Sequence, residues 1–258
     1  MTEELFRWVE AIANRREYIE HQLASGSPIV ALGYEEGVLV LTFSRDRRKI
    51  FEIYDRIAVG AIGHPGDIER LRMIAIEVAS TEGFTRSAQD VSLRRLAHYS
   101  LSPLLKNAFE QIYGPPFLAR LLFVELGEHG APDLFLRLDY DGAIHASHSG
   151  FGGTLENFGV LGASVAATDA MSHWLMEQMG PQRDLKAAVY LALAAWAVGH
   201  LQSVDDAVKP SEAEIREHLQ AQRETASIEA MVLEKNAPPH LACRILTKTE
   251  LDELLKSF

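Results

Sequence analysis

Apolar positions along the chain change period in blocks. From Glu3 to Leu23 they fall on one side of a helix, with Leu5, Val9 and Ile12 aligned and charges elsewhere, which predicts an amphipathic N-terminal helix within 1–25. Ala24-Ser25-Gly26-Ser27-Pro28 breaks it. Two short apolar runs follow, Ile29–Leu32 and Val38–Phe43, around Tyr34-Glu35-Glu36-Gly37, a hairpin signal. Lys49–Ile53 and Ile57–Ile62 predict a second hairpin around Tyr54-Asp55-Arg56. Helical spacing returns in Gly66–Ser80 and again from a cap at Asp90 to about Tyr113, where Gly114-Pro115-Pro116 stops it.

Three strands are predicted next, Ala119–Leu126, Leu134–Asp139 and Ala143–Ser147, the last two joined at Asp141-Gly142. Helices are expected over Thr154–Met179 and Asp184–Ser203, then strands Ala226–Leu233 and Leu241–Ile245 and a terminal helix Thr249–Ser257. Strands and helices therefore come in blocks. That order predicts an α+β, four-layer αββα sandwich, two sheets between helix layers, and excludes a Rossmann alternation. Asp205–Glu224 stands apart as a charged segment, with Ser211 and Glu214 at capping-box spacing. It is expected to be an exposed helical insertion (205–224) in one domain spanning 1–258.

Composition narrows this picture. A net charge of −11 lacks the basic footprint of a nucleic-acid binder. The single cysteine, Cys243, rules out an internal disulfide and a cysteine-based metal site and fits a reducing cytoplasm. Met1–Glu10 has no basic-then-apolar leader pattern. The apolar run Ala187–Leu201 is too short to span a membrane, so a buried core helix is expected.

Five stretches, in order, carry a resemblance. SPIVALGYEEGVLVLTFS followed by RKIFEIYDRIAVGAIG is similar to the opening of bacterial α-type proteasome subunits. Glu82-Gly83-Phe84 with Arg86 and Gln89-Asp90-Val91, then Leu138–Ile144, then Gly152-Gly153-Thr154 with Glu156, resemble later motifs of that family. The resemblance implies the Ntn-hydrolase fold and seven-membered rings. Rings of β-type subunits carry proteolysis; α-type rings stack on them, gate entry and receive an ATPase or other activator.

Active β-type subunits use an N-terminal threonine at the head of the first strand, its own amine acting as base. The matching residue here is Ser27, preceded by the N-terminal helix and followed by Pro28. The position of the family's acid falls near Phe43, which has no acid to offer. Thr2 precedes a helix, not a strand. The expectation is therefore a non-catalytic α-type subunit with no cofactor. The alternatives are an autoprocessed hydrolase using Ser27 and Lys49, or a stand-alone ring with a new binding role. Lys49 is a point cation with several donors at a strand start. In α-type subunits the resemblance gives this lysine a different role. With the N–H of Gly63, it receives the C-terminal carboxylate of an activator tail. Met1, Thr2, Glu3, Glu4 and Leu5 are the expected ring or gate residues, shorter than the family's tail. Arg45, Arg47 and Arg48 crowd Lys49 and favour an acidic partner.

His145 and His148, with His129 upstream, have no fixed carboxylate beside them and read as surface histidines, not metal ligands. Gly150-x-Gly152-Gly153 lacks the ending of a phosphate loop. Asp139 and Asp141 are explained by turn chemistry. Leu5, Phe6 and Trp8 are candidates for packing between subunits of a ring or for stapling the first helix.

Overall fold

The computed structural model describes residues 2–128, 130–147, 157–180, 184–202 and 210–256, with the side chains of 2–6 left aside. Helix α1 (Thr2–Leu23) precedes β1 (Ile29–Tyr34), β2 (Gly37–Ser44), β3 (Ile50–Tyr54) and β4 (Ile57–Gly63). Helix α2 (Pro65–Thr85) leads through a 3₁₀ turn to α3 (Leu93–Arg95), which runs by a π turn into α4 (Ser102–Glu110). Strands β5 (Ala119–Glu125), β6 (Leu134–Leu138), β7 (Ile144–Ala146) and β8 (Phe158–Leu161) follow. Then come α5 (Val165–Gln178), α6 (Leu185–Gln202), α7 (Glu212–Thr225), β9 (Ser227–Glu234), β10 (Cys243–Ile245) and α8 (Lys248–Leu254).

The strands form two antiparallel five-stranded sheets, ordered β10-β9-β2-β1-β8 and β3-β4-β5-β6-β7. Period-two alternation explains the layering. On β1 and β2, Val30, Leu32, Leu39, Leu41 and Phe43 face a helix layer that supplies Leu175, Trp196, Leu219 and Leu251. Their neighbours Ile29, Ala31, Val38 and Val40 face the other sheet, meeting Ile62, Leu122 and Phe135. The second sheet turns Val59, Leu121 and Leu136 to its own helix layer, against Leu71, Leu96 and Leu105. The central strands are thus buried on both faces and read as continuous apolar runs. This is the αββα sandwich with its N-terminal helix.

Helix α1 is fastened to the second sheet. Ile19 and Leu23 pack with Phe109 and Tyr140. The Arg15 guanidinium donates to the carbonyls of Ala108 (2.9 Å), Ile112 (3.2 Å) and Gly114 (2.8 Å), satisfying groups the end of α4 leaves open. Glu20 accepts from the buried Arg120 and from Tyr140 Oη (2.6 Å). These ties fix where the chain enters β1.

Several elements differ from the sequence reading. The stretch expected to be helical from Thr154 contains β8, which pairs with the free edge of β1, Ile29 opposite Leu161. Edge pairing outweighed local helical spacing, and α5 starts only after the Ser164 cap, whose hydroxyl accepts from Ala167 N. Asp90 lies in the 3₁₀ turn; Ser92 caps the helix instead. Helix α7 carries the capping box of Ser211 and Glu214 but is not wholly exposed, because Ile215 and Leu219 are buried against the α6 layer. Met1, His129, His148 and the glycines at 150, 152 and 153 lie outside the described residues, as do the side chains of Thr2, Glu3, Glu4, Leu5 and Phe6. Trp8 is exposed on α1.

Candidate functional site

The head of β1 and the head of β3 lie at the same end of the sandwich, and their two polar residues border one cavity. A tight turn joins α1 to β1, with Gly26 N donating to Leu23 O (2.9 Å). Ser27 follows. In the uncleaved chain its nitrogen is an amide and not an amine. Its hydroxyl donates to the Phe43 carbonyl (2.9 Å) and accepts from Trp196 Nε1–H (3.1 Å). Trp196 is fully buried and packs on Phe43, ring centroids 4.4 Å apart. A carbonyl oxygen cannot take the serine proton during an attack. Thr42, beside Ser27 at 3.3 Å, donates to the Pro28 carbonyl (2.6 Å) and is likewise engaged. Phe43 sits where an acid would be needed and is buried in the core. In the uncleaved chain Ser27 thus has no free amine beside it and Phe43 supplies no acid, while Lys49 borders the same cavity.

Lys49 is arranged differently. Its backbone N–H, with that of Ile50, donates to the Glu229 carboxylate at 3.0–3.2 Å. Glu229 therefore faces the backbone, and the only ion pair it makes among the described residues is a long one to Arg48 at 3.8 Å. The Lys49 ammonium has no carboxylate within 4 Å among those residues. Burial lowers its pKa to about 8, with Arg45 adding to the effect and Glu229 opposing it. Burial also raises Glu229, against the two backbone N–H groups it accepts.

Lys49 and Gly63 share a second cavity of about 460 Å³ between the α1–β1 turn, β3, β4 and the start of α2. Leu23, Phe51, Ile62 and Ile68 give it apolar walls; Arg47, Arg48 and Glu69 sit with Lys49 among its lining groups. Glu69 is held by Arg72 (2.7 and 2.8 Å), so it does not neutralise Lys49. Gly63 stands opposite Ala119 in the β4–β5 ladder, while Ala61 N donates to Lys49 O on the β3 side and His64 N to Leu118 O on the β5 side. Alternation along an antiparallel ladder then turns the Gly63 N–H to the β3 side, beyond the last bond between those strands. The two candidate docking groups meet at one cavity. Gly63 has a local reason to be glycine as well: its φ is +138°, and a Cβ would lie 2.0 Å from the Leu118 carbonyl oxygen.

His145 approaches Asp139 (3.5 Å), which also neighbours Arg120 and Arg137. Asp141 accepts from Ala143 N as turn chemistry requires and pairs with Arg16 (3.0 Å). Among the described residues no three His, Cys, Asp or Glu side chains gather to hold a metal, and no helix is long and apolar enough to cross a membrane. Cys243 is half-buried, and its desolvation raises its pKa to about 12, which disfavours the thiolate. Trp196 and Glu229 were missed by sequence reasoning. A signal existed for each: a tryptophan in an alanine-rich helix, and an acid near the start of the apolar strand SIEAMVLE.

An αββα sandwich whose first-strand serine lies in mid-chain, beside a cleft lined by a lysine with no carboxylate within 4 Å among the described residues, is an Ntn-hydrolase-type scaffold. The family model described as Proteasome subunit matches residues 23–161, and the chain belongs to that family. A Proteasome subunit alpha of Mycolicibacterium vanbaalenii is 30% identical over 95% of this chain and 87% of its own length. One from Actinosynnema mirum is 32% identical over 96% and 85%, and one from a Nocardioides species 28% over 80% and 76%. The chain is a non-catalytic, α-type member.

Proposed function

We propose that the chain forms the outer ring of a proteasome-like complex, a homo-heptamer that stacks on a proteolytic β-type ring in the cytoplasm. It gates substrate entry with residues 1–5 and docks an ATPase or other activator by a C-terminal tail. The tail carboxylate sits between the Lys49 ammonium and the Gly63 N–H, while its apolar side chains cover Phe51 and Ile68. One observation carries this reading: a half-buried lysine with no acid partner among the described residues, at the rim of a cavity that a strand-end N–H also faces. A charge-assisted hydrogen bond of that kind contributes about 1.5–3 kcal/mol, roughly one to two decades of affinity.

The test is Lys49→Ala, co-assembled with a β-type partner and supplied with activator. Stimulated degradation is expected to be lost while the native mass of the assembly stays unchanged. Equal stimulation by the variant and the parent rejects docking at Lys49.

A further inference from the structure

A cavity of about 340 Å³ adjoins the one that Lys49 and Gly63 share, the two having Ser25, Arg47, Lys49 and Pro65 in common. It lies between Ser27 at the head of β1, the basic turn after β2, His200 on α6 and the end of α7 at Gln222 and Ala226. Its volume is at the low end of small-ligand pockets, about 300–1,000 Å³. Three cations line it, Arg45, Arg47 and Lys49, against one carboxylate, Asp46. The last turn of α7 adds about half a negative charge, less than the surplus left by the three cations.

We infer that this cavity binds a small oxyanion, and specifically a phosphate group.

The cations there oppose one another. Arg45 is among the causes that lower Lys49, and Arg45 and Lys49 are both among those that lower His200, after burial and its neighbour His218. That mutual opposition places the three groups within one field, which a bound anion relieves. A metal cation is disfavoured by the same field. The histidines are also occupied with each other: His200 Nδ1 and His218 Nε2 are 2.9 Å apart and both rings stack on Trp196. The guanidinium fork of an arginine matches oxyanions bidentately, and a phosphate group brings more negative charge and more acceptor oxygens to the three cations than a single carboxylate does. The C-terminal turn of α7 closes the cavity and opposes an anion there, so the cations carry the binding. Phosphate binding is separable from tail docking, because it is measured directly on the purified full chain.

Calorimetric titration with inorganic phosphate at low ionic strength and neutral pH is expected to show one saturable site. Acetate at matched ionic strength binds about tenfold more weakly or less. Arg45→Ala weakens phosphate binding about tenfold or more, whereas Lys106→Ala, which removes the same charge from an exposed site on α4, changes it less than about twofold. The His200 ring resonances move on phosphate addition in the parent. Absence of saturable binding, equal affinity for acetate, or equal losses in the two variants overturns the assignment.

Discussion

The starts of β1 and β3 carry a polar residue each, Ser27 and Lys49, at one end of the sandwich, yet their environments are opposite. Every hydrogen-bonding capacity that would make Ser27 reactive is engaged: its oxygen by Trp196, its proton by Phe43, its nitrogen by the peptide bond to Gly26. At Lys49 the backbone N–H is satisfied by Glu229 and the ammonium is left open to two cavities. On the proposed reading, a fold that elsewhere supports hydrolysis serves as a receptor through small changes at two strand starts. The serine is locked into the core's hydrogen bonding, and the lysine is held half-desolvated where a partner's charge can reach it.

Breaking the lock on Ser27 has the largest expected effect. Trp196→Ala removes a fully buried indole and the donor to Ser27, and is expected to cost about 3–5 kcal/mol in urea unfolding. Ser27→Ala leaves the indole N–H without its acceptor and takes one donor from the Phe43 carbonyl, a loss of about 1–3 kcal/mol by the same measurement. Tail docking is expected to be unchanged in that variant, since Ser27 does not line the docking cavity.

The pH dependence sharpens the Lys49 half of the contrast. Carboxylate docking needs the ammonium, whose pKa in the free protein is about 8. Affinity is therefore expected to be flat below that value and to fall about tenfold per pH unit above it, until the pKa of the bound state is reached. Stability runs the other way. A lysine whose pKa is lowered on folding makes the charged fold less stable below about 8, and that cost is relieved as pH rises towards the ordinary lysine value. Lys49→Ala is accordingly expected to leave the urea midpoint at neutral pH equal to or above the parent's. It is the smallest stability effect of the set and the opposite of Ser27→Ala.

Sequence reading reached the layered fold because the strands alternate cleanly and the helices between them are punctuated by Gly114-Pro115-Pro116 and Gly26-Ser27-Pro28. It missed β8 because Phe158–Leu161 is four residues long and its strand identity comes from an edge of β1 more than a hundred positions away. Lys49 and Gly63, singled out from a motif, line one cavity because the β3–β4 hairpin brings them to the same end. Trp196 and Glu229 were not legible, because each acts through a partner distant in the chain: Ser27, 169 positions away, and the Lys49 N–H, 180 positions away. Local spacing carries no record of such pairs. The amphipathic character of α7 was similarly hidden, since two buried residues, Ile215 and Leu219, are few among its charges.

The central claim, that the Lys49 ammonium receives a tail carboxylate, is tested most directly by a double-mutant cycle. Binding of an activator tail peptide and its C-terminal amide is measured on the parent assembly and on Lys49→Ala. The account predicts that amidation weakens binding to the parent by about tenfold or more and changes binding to Lys49→Ala little. An equal loss on both assemblies would contradict it.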